Sequence, residues 1–355
     1  MSDILVIQSH KGPYEVHTGA GLPSSLSPAK AHVLVDRRVA ALHAERLAGL
    51  LASESVLEID AVEDNKSIEA MPAYINHLVD HGIKRDHVLM AIGGGILQDI
   101  TCFLAANMFR GMDWLFVPTT LLAQCDSCIG SKSSINAGGA KNLLGTFTPP
   151  RRIFVDPAFL DTLDQREIHS GIGEMLKVQA IAGPQPFAEI AAAFDGLIAR
   201  DPEVMARFIR RSLVVKQGYI EQDEFDRGIR NVFNYGHTTG HAIEAATYFG
   251  IPHGIAVAMG MDLANHIARR FGLTPDAVFA AMHPVLRRNY AGYESLAVPL
   301  DAFFAAASKD KKNASGGEVA FILPDAQARI VKHPLPVDAA LRRVVAEFFD
   351  EVRTV

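Results

Sequence analysis

Two histidines four residues apart are the first residues in this 355-residue chain whose type and spacing suggest chemistry. If the segment NYGHTTGHAIEA forms one helix, His237 and His241 lie on one face with Asn234, three residues before His237. His253 follows a Gly-Ile-Pro turn and begins the next predicted helix, so the chain can double back and bring it near His237. Three imidazoles and one amide are therefore expected around one point.

An earlier predicted helix adds Glu174 and Lys177, which are three residues apart and share a face. Two imidazoles and one carboxylate from separate helices, with a fourth position open, are the donor set of a catalytic Zn²⁺ site. A single histidine is more often a core or surface side chain, but this combination favours a metal site. The composition agrees with a metal site built from imidazole and carboxylate, because the chain has 14 His and only 3 Cys. With so few cysteines, neither a four-cysteine zinc site nor a disulfide framework is expected.

A glycine triplet suggests a second kind of site. Gly93, Gly94 and Gly95 lie between a predicted strand and a predicted helix, where backbone amides can approach a phosphate at a helix N-terminus. The triplet does not match G-x-G-x-x-G, so a simple packing turn is the alternative. Asp36 ends an earlier predicted strand, where its carboxylate would accept from ribose hydroxyls or cap the following helix.

Basic residues stand beside glycines, turns and the histidine motif, although the protein is acidic overall. Lys and Arg number 34 against 40 Asp and Glu, a formal net charge of −6 without any basic block, which argues against a dedicated nucleic-acid binder. Each of these basic residues, considered alone, is interpreted as a solvated surface charge. Together they suit a small substrate that carries a phosphate and a carboxylate. They are Arg110, Lys132, Lys141, Lys177, Lys216, Arg230, Lys311 and Lys312.

The elements that would position these residues change character along the chain. Residues 31–160 alternate short apolar runs with stretches of helical period, which predicts βαβ units and a parallel sheet. After about residue 166 helical spacing dominates, apart from a late hairpin strand before a final amphipathic helix. We therefore predict an α/β domain with a parallel Rossmann-like sheet over 1–165, and a mainly α-helical domain over 166–355.

Hydropathy favours a soluble, cytoplasmic protein. Apolar residues make up 49% of the chain and charged residues 21%, which is ordinary for a globular protein. No run reaches the 18 or so apolar residues of a membrane span, and the start MSDILVIQSHKG reads as a strand and not as a signal peptide.

The order of these motifs resembles the sugar phosphate cyclase superfamily, and most closely the 3-dehydroquinate synthase family. The resemblance runs from about residue 30 to residue 325. It is carried by GGGILQD, RGMDWLFVPTTLLAQCDS, GSKSSIN, GAKNLLGTF, LDTLDQREIHSGIGEMLK, DEFDRGIRNVFNYGHTTGHAIE, HG and DKK.

The resemblance implies a carbon–oxygen lyase of the shikimate pathway that depends on NAD and on Zn²⁺ or Co²⁺. Such enzymes convert 3-deoxy-D-arabino-heptulosonate 7-phosphate into 3-dehydroquinate and phosphate. NAD⁺ transiently oxidises the C5 alcohol, phosphate leaves, the hydride returns, and an intramolecular aldol step closes the carbocycle. The cofactor supplies the hydride chemistry and the metal polarises an oxygen.

The resemblance also implies roles for individual residues. Glu174, His237 and His253 correspond to metal ligands, and Arg110 would reach into the site of a neighbouring subunit, which implies a homodimer. The substrate shell would comprise Asp126, Lys132, Asn142, Lys177, Lys216, Arg230, Asn234, His241, Lys311 and Lys312, with Lys216 and Arg230 on the carboxylate. NAD would contact Asp36, Glu63, Lys66, Gly94, Gly95, Asp99, Thr119, Thr120, Lys132, Lys141, Phe159 and Thr162.

Three residues differ from the family pattern, and these differences allow other substrates. Gln98 and Ser131 replace glycines of the pattern, and Ile255 replaces the acidic residue that usually follows the last His-Gly. Loss of the carboxylate at position 255 would leave the metal ligands less firmly oriented. The alternatives are an aminodehydroquinate synthase, a sedoheptulose 7-phosphate cyclase, a metal-dependent polyol dehydrogenase, or a binding module without activity. The Lys216 and Arg230 pair favours a sugar acid, because buried cations without a carboxylate would remain unpaired.

Overall fold

The computed structural model divides the chain into two compact units, each described here by itself. The first comprises Met1–Leu163 and Ile209–Asp226, and the second Asp164–Phe208 and Arg227–Val355. Residues 209–226 thus group with the first unit, although they follow the boundary expected at residue 165. The described residues are 3–19, 22, 30–308 and 318–354.

A seven-stranded sheet forms the centre of the first unit, in the order β1-β2-β9-β6-β5-β3-β4. All neighbouring pairs are parallel except β1 with β2. The strands inside this order are almost continuously apolar, as expected where both faces of a parallel sheet are covered. The strands are β1 (Asp3–Ile7), β2 (Tyr14–Thr18), β3 (Ala31–Asp36), β4 (Ser55–Ile59), β5 (Val88–Gly93), β6 (Trp114–Pro118) and β9 (Arg152–Val155).

In the first unit, α-helices follow the strands β3, β4 and β5. A small hairpin, β7 (Ile135–Ala137) with β8 (Ala140–Leu144), and a π-helical turn over Ala123–Ser127 complete it. The helical pattern predicted after β3 is split at His43, whose φ of −121° interrupts the helical backbone. The helices are α1 (Arg37–Leu42), α2 (Ala44–Leu51), α3 (Met71–Asp80) and α4 (Gly95–Asn107).

The second unit is helical, with one antiparallel hairpin of β10 (Glu318–Pro324) and β11 (Ile330–Pro336). With the parallel sheet of the first unit, this confirms the predicted fold class. Among the described residues, none of the helices combines the length and the apolar character that crossing a membrane requires. The helices are α5 (Gln165–Ala182), α6 (Pro184–Ala192), α7 (Phe194–Ile198), α8 (Pro202–Ile220, shared between the units), α9 (His237–Ala246), α10 (His253–Arg270), α11 (Asp276–Asn289), α12 (Leu300–Ser308) and α13 (Ala339–Asp350).

One expectation about the histidine motif is wrong. The segment NYGHTTGHAIEA is not a single helix, because α9 begins only at His237 and Asn234 ends a separate 3₁₀ turn. Gly236 between them has a φ of +75°, in the left-handed region. Asn234 therefore does not share the helical face of His237 and His241.

Candidate active site

Three helices of the second unit bring the expected metal ligands together. Glu174 lies in the middle of α5, while His237 and His253 are the first residues of α9 and α10. The Oε1 atom of Glu174 is 3.5 Å from Nε2 of His237 and 3.4 Å from Nε2 of His253. Donor atoms bound about 2.0–2.2 Å from a tetrahedral Zn²⁺ lie about 3.4 Å apart. The donor chemistry and the separations therefore fit a metal ion of this kind.

Glycines next to these residues allow the three helices to approach so closely. A Cβ atom on Gly173 would overlap the carbonyl oxygen of Gly254, and one on Gly254 would overlap that of Ser170. A Cβ atom on Gly236 would lie 2.6 Å from the carbonyl oxygen of Val257. Each ligand thus has a neighbouring glycine at a helix contact, and the pairs G-E, G-H and H-G of the sequence position the donors.

Lys177 is the charge partner of Glu174. Both side chains are buried and form an ion pair within α5, and the Lys177 ammonium lies 5.5 Å from the centre of the Phe233 ring. Burial alone would raise the pKa of Glu174, but Lys177 and His253 outweigh it and hold that pKa well below its ordinary value. The carboxylate is therefore ionised and able to bind a cation.

The two histidines expected as metal ligands differ in charge. Burial, followed by the positive charge of Lys177, lowers the pKa of His237 well below its ordinary value, which leaves its imidazole neutral. Burial also acts to lower the pKa of His253, but Glu174 and Glu244 raise it to about 10. A metal ion would therefore displace a proton from His253 on binding.

His241 lies beside the other two imidazoles. Its ring centre is 5.3 Å from that of His237 and 5.5 Å from that of His253, and it is exposed. Donor atoms of the three histidines lie within 4.8 Å of one another, so they form a second possible donor set. Glu174 remains the better third ligand, because its anionic oxygen faces both Nε2 atoms while buried.

The first unit brings several of the residues expected at NAD into one network. Lys66 lies 3.3 Å from Glu63 and donates to Oδ2 of Asp99 at 3.2 Å and to Oδ1 of Asn142 at 3.0 Å. Asn142, which was expected in the substrate shell, belongs to this network. Ser134, which sequence analysis missed, joins both residues: its amide donates to Oδ1 of Asp99 at 3.1 Å and its hydroxyl donates to Oδ1 of Asn142 at 2.8 Å.

The glycine triplet lies where it was expected, between β5 and α4. Gly94 caps α4 and Gly95 begins it, and an added Cβ on Gly94 would lie 3.0 Å from Cγ2 of Thr120. Thr119 and Thr120 follow β6, whose last residue pairs with Gly93, so two neighbouring strand ends meet here. Gln98 instead bonds to Ser127, donating to its carbonyl and accepting from its hydroxyl.

The remaining residues expected at NAD are dispersed around the ends of β3, β8 and β9. Asp36 caps α1 by accepting from the amide of Arg38 at 2.9 Å, and burial raises its pKa. His43 was not singled out by the sequence analysis. Its Nε2 atom lies 2.7 Å from Oγ1 of Thr162, and its ring packs against the buried Phe159. Lys141 lies on the exposed β8.

Two lysines expected at the substrate are held by aspartates in the first unit. Nζ of Lys216 is 2.6 Å from Oδ1 of Asp126 and donates to its carbonyl at 2.7 Å, and both residues are buried. Lys132 is exposed and lies 3.2 Å from Oδ2 of Asp226. Asp226 was not anticipated, because no spacing connects positions 132 and 226.

Other expected substrate residues occupy separate places. In the second unit, Arg230 is buried in the 3₁₀ turn and Asn234 donates to the carbonyl of Asn231 at 2.9 Å. Arg110 of the first unit is exposed in a turn after α4, with a φ of +65°. Lys311 and Lys312 lie outside the described residues.

Comparison with known proteins agrees with these features. Residues 56–170 match the family model described as 3-dehydroquinate synthase N-terminal, and residues 171–313 match 3-dehydroquinate synthase C-terminal. The 3-dehydroquinate synthase of Sulfurovum sp. (strain NBC37-1) is 34% identical over 93% of this chain and 94% of its own. That of Acidithiobacillus ferrooxidans is 36% identical over 87% of this chain and 88% of its own.

Solved structures show the same fold. A 2-epi-5-epi-valiolone synthase from Streptomyces hygroscopicus subsp. jinggangensis with NAD⁺ and Zn²⁺ bound is 26% identical, with a TM-score of 0.82 over 94% of this chain and 97% of that one. A 2-deoxy-scyllo-inosose synthase complexed with carbaglucose-6-phosphate, NAD⁺ and Co²⁺ is 23% identical, with a TM-score of 0.83 over 97% and 100%. The matches to both family models and to these relatives show that the chain belongs to the 3-dehydroquinate synthase family.

Proposed function

We propose that this chain is a cytoplasmic, homodimeric 3-dehydroquinate synthase. It would convert 3-deoxy-D-arabino-heptulosonate 7-phosphate into 3-dehydroquinate and inorganic phosphate, with NAD⁺ and either Zn²⁺ or Co²⁺. The observation that carries the proposal is the convergence of Glu174, His237 and His253 at 3.4–3.5 Å, in a chain matched by both family models.

Glu174, His237 and His253 would hold the metal, and the loop at Gly94 with Lys66 and its partners would hold NAD⁺. When bound, the metal supplies Lewis acidity and NAD⁺ supplies reversible hydride uptake. Two imidazoles, one carboxylate and an open position suit both Zn²⁺ and Co²⁺. The two solved synthases described above contain NAD⁺ together with Co²⁺ or Zn²⁺.

The chain's own residues would bind the substrate and move its protons. Asp126 already balances the charge of the buried Lys216 ammonium, so Lys216 would contribute to carboxylate binding as a positioned donor and not as the unpaired cation expected from the sequence. His241 is exposed next to the metal ligands and has an imidazole, the side chain best suited to proton transfer near neutral pH. His241 would exchange protons with the substrate or its phosphate.

Phosphate release tests this function. Purified protein with NAD⁺ and Zn²⁺ or Co²⁺ is given 3-deoxy-D-arabino-heptulosonate 7-phosphate, sedoheptulose 7-phosphate or an aminated analogue in separate assays. We expect turnover of the first without net NADH, because the hydride returns to the product. His237→Ala should abolish turnover, whereas His333→Ala on β11 should retain it.

Each other outcome identifies another function. Turnover of only the second or third substrate would overturn the proposed substrate while leaving the family membership intact. Net NADH formation with a diol would indicate a polyol dehydrogenase. Binding of NAD⁺ and metal without phosphate release from any of the three would indicate a binding module.

A further inference from the structure

We propose that Glu244 is a positioning residue for the metal ligand His253. The inference rests on the proposed function, because it concerns how the chain prepares His253 for the metal. None of the roles drawn from the sequence includes Glu244.

Both ring nitrogens of His253 face carboxylates. Nε2 lies 3.4 Å from Oε1 of Glu174, on the side of the other expected ligands. Nδ1 lies 3.3 Å from Oε2 and 3.4 Å from Oε1 of Glu244. If Nε2 binds the metal, Nδ1 carries the hydrogen and donates it to Glu244. Glu244 thereby selects the tautomer whose lone pair points at Glu174 and His237.

Glu244 is well fixed for this role. It lies in the last turn of α9, and the residue is only 8% exposed. Its carbonyl accepts from the amide of Phe249 at 2.7 Å, which closes the turn leading toward α10. A carboxylate buried to this extent is costly without a donor, and His253 supplies one. The contact therefore joins the end of α9 to the first residue of α10.

The two histidine ligands are oriented differently. Nδ1 of His237 lies 3.3 Å from the carbonyl oxygen of Tyr235, a neutral acceptor two residues away. His253 has an anionic acceptor from another helix. A carboxylate acceptor makes the imidazole a stronger donor to the metal than a carbonyl does. At position 255, where the family resemblance places an acidic residue, this chain has a buried Ile255, whereas the carboxylate of Glu244 does contact Nδ1 of His253.

The test measures metal affinity apart from turnover. Zn²⁺ affinity is determined by competition with a chromophoric chelator, and the visible absorption bands of the Co²⁺ protein are recorded. Glu244→Gln keeps the size of the side chain but removes its charge. We expect its Zn²⁺ affinity to fall about 10–100-fold and its Co²⁺ bands to shift. Glu244→Asp keeps the charge with a shorter reach, so it should lose less affinity.

Glu189→Gln, an exposed substitution on α6, is the matched control and should keep wild-type affinity and bands. Melting of the metal-free proteins separates a folding defect from a binding defect, and Glu244→Asp carries the test if Glu244→Gln does not fold. Wild-type affinity and Co²⁺ bands in the folded variant would overturn the inference alone. If the wild-type protein binds neither ion, or if His237→Ala binds Zn²⁺ as tightly, the proposed metal site and this inference both fail.

Discussion

Glu174 and Lys177 give the candidate metal centre its charge, and their coupling can be measured. Both side chains are buried, so removing one partner leaves an uncompensated charge that costs about 3–5 kcal/mol. We expect Glu174→Gln to lower the free energy of unfolding of the metal-free protein by about this amount, measured by urea titration. The same variant should lose Zn²⁺ binding in calorimetry, because an anionic donor is gone.

The double variant Glu174→Gln with Lys177→Met separates these two effects. Without the buried ammonium, the unfolding free energy should return toward that of the wild type, while Zn²⁺ binding stays absent. A double variant as unstable as Glu174→Gln would show that the unpaired charge of Lys177 is not the cause.

At the residue scale, the sequence predicted which side chains could bind a metal ion, but not which residues far apart in the chain would form ion pairs. Glu174, His237 and His253 were expected together because imidazoles and a carboxylate suit one kind of ion. The pairs of Lys216 with Asp126 and Lys132 with Asp226 join residues about 90 positions apart, and no local pattern reports such contacts. Glu244 and Ser134 were missed because each acts through another side chain.

At the element scale, the crossing of α5 and α10 depends on glycine. Gly254 contacts the backbone of Ser170, and a methyl group there cannot be accommodated by a side-chain rotation. We expect Gly254→Ala to destabilise the protein by about 3 kcal/mol or more in urea unfolding, since overpacking against backbone moves whole helices. It should also weaken Zn²⁺ binding, because Glu174 and His253 lie on the separated helices.

Gly218→Ala in α8 is the matched control. Nothing lies within 4 Å of an added Cβ at Gly218, so the same substitution should be neutral or stabilise the protein by about 0.5–1 kcal/mol. Wild-type stability and Zn²⁺ affinity in Gly254→Ala would contradict the role of close packing at this crossing.

The elements were more predictable than their ends. Strong periodicity indicated β3 to β6 and the long helices α5, α8, α10 and α11. The start of α9 was missed because Gly236 can adopt either a helical or a left-handed backbone, and contacts with α10 decide between them. The π-helical turn over 123–127 has the sequence AQCDS, in which no residue type separates a π-helical turn from an ordinary helical turn, so the sequence did not distinguish them.

At the scale of the whole molecule, the change in periodicity near residue 166 predicts two domains, and the structure divides into two compact units whose bounds differ from that prediction. The return of residues 209–226 to the first unit could not be anticipated, because α8 has one continuous helical pattern across Phe208 and Ile209. This segment carries Lys216, whose partner Asp126 also belongs to the first unit. A residue expected at the substrate was therefore attributed to the other domain.

The proposed dimer predicts that two inactive variants regain activity when their subunits form mixed dimers. Arg110 is exposed, and a left-handed backbone at Phe109 and Arg110 directs the turn that bears it. If Arg110 completes the partner's site, Arg110→Ala on one chain and His237→Ala on the other disable the same site of a mixed dimer and leave the other site complete. After subunit exchange at equal amounts, activity should rise from near zero to about one quarter of wild type, because half of the dimers are mixed and each has one complete site.

Mixing His237→Ala with Glu174→Gln should restore none, since both act within their own chain. Subunit exchange without recovery in the first mixture would place Arg110 in the site of its own chain.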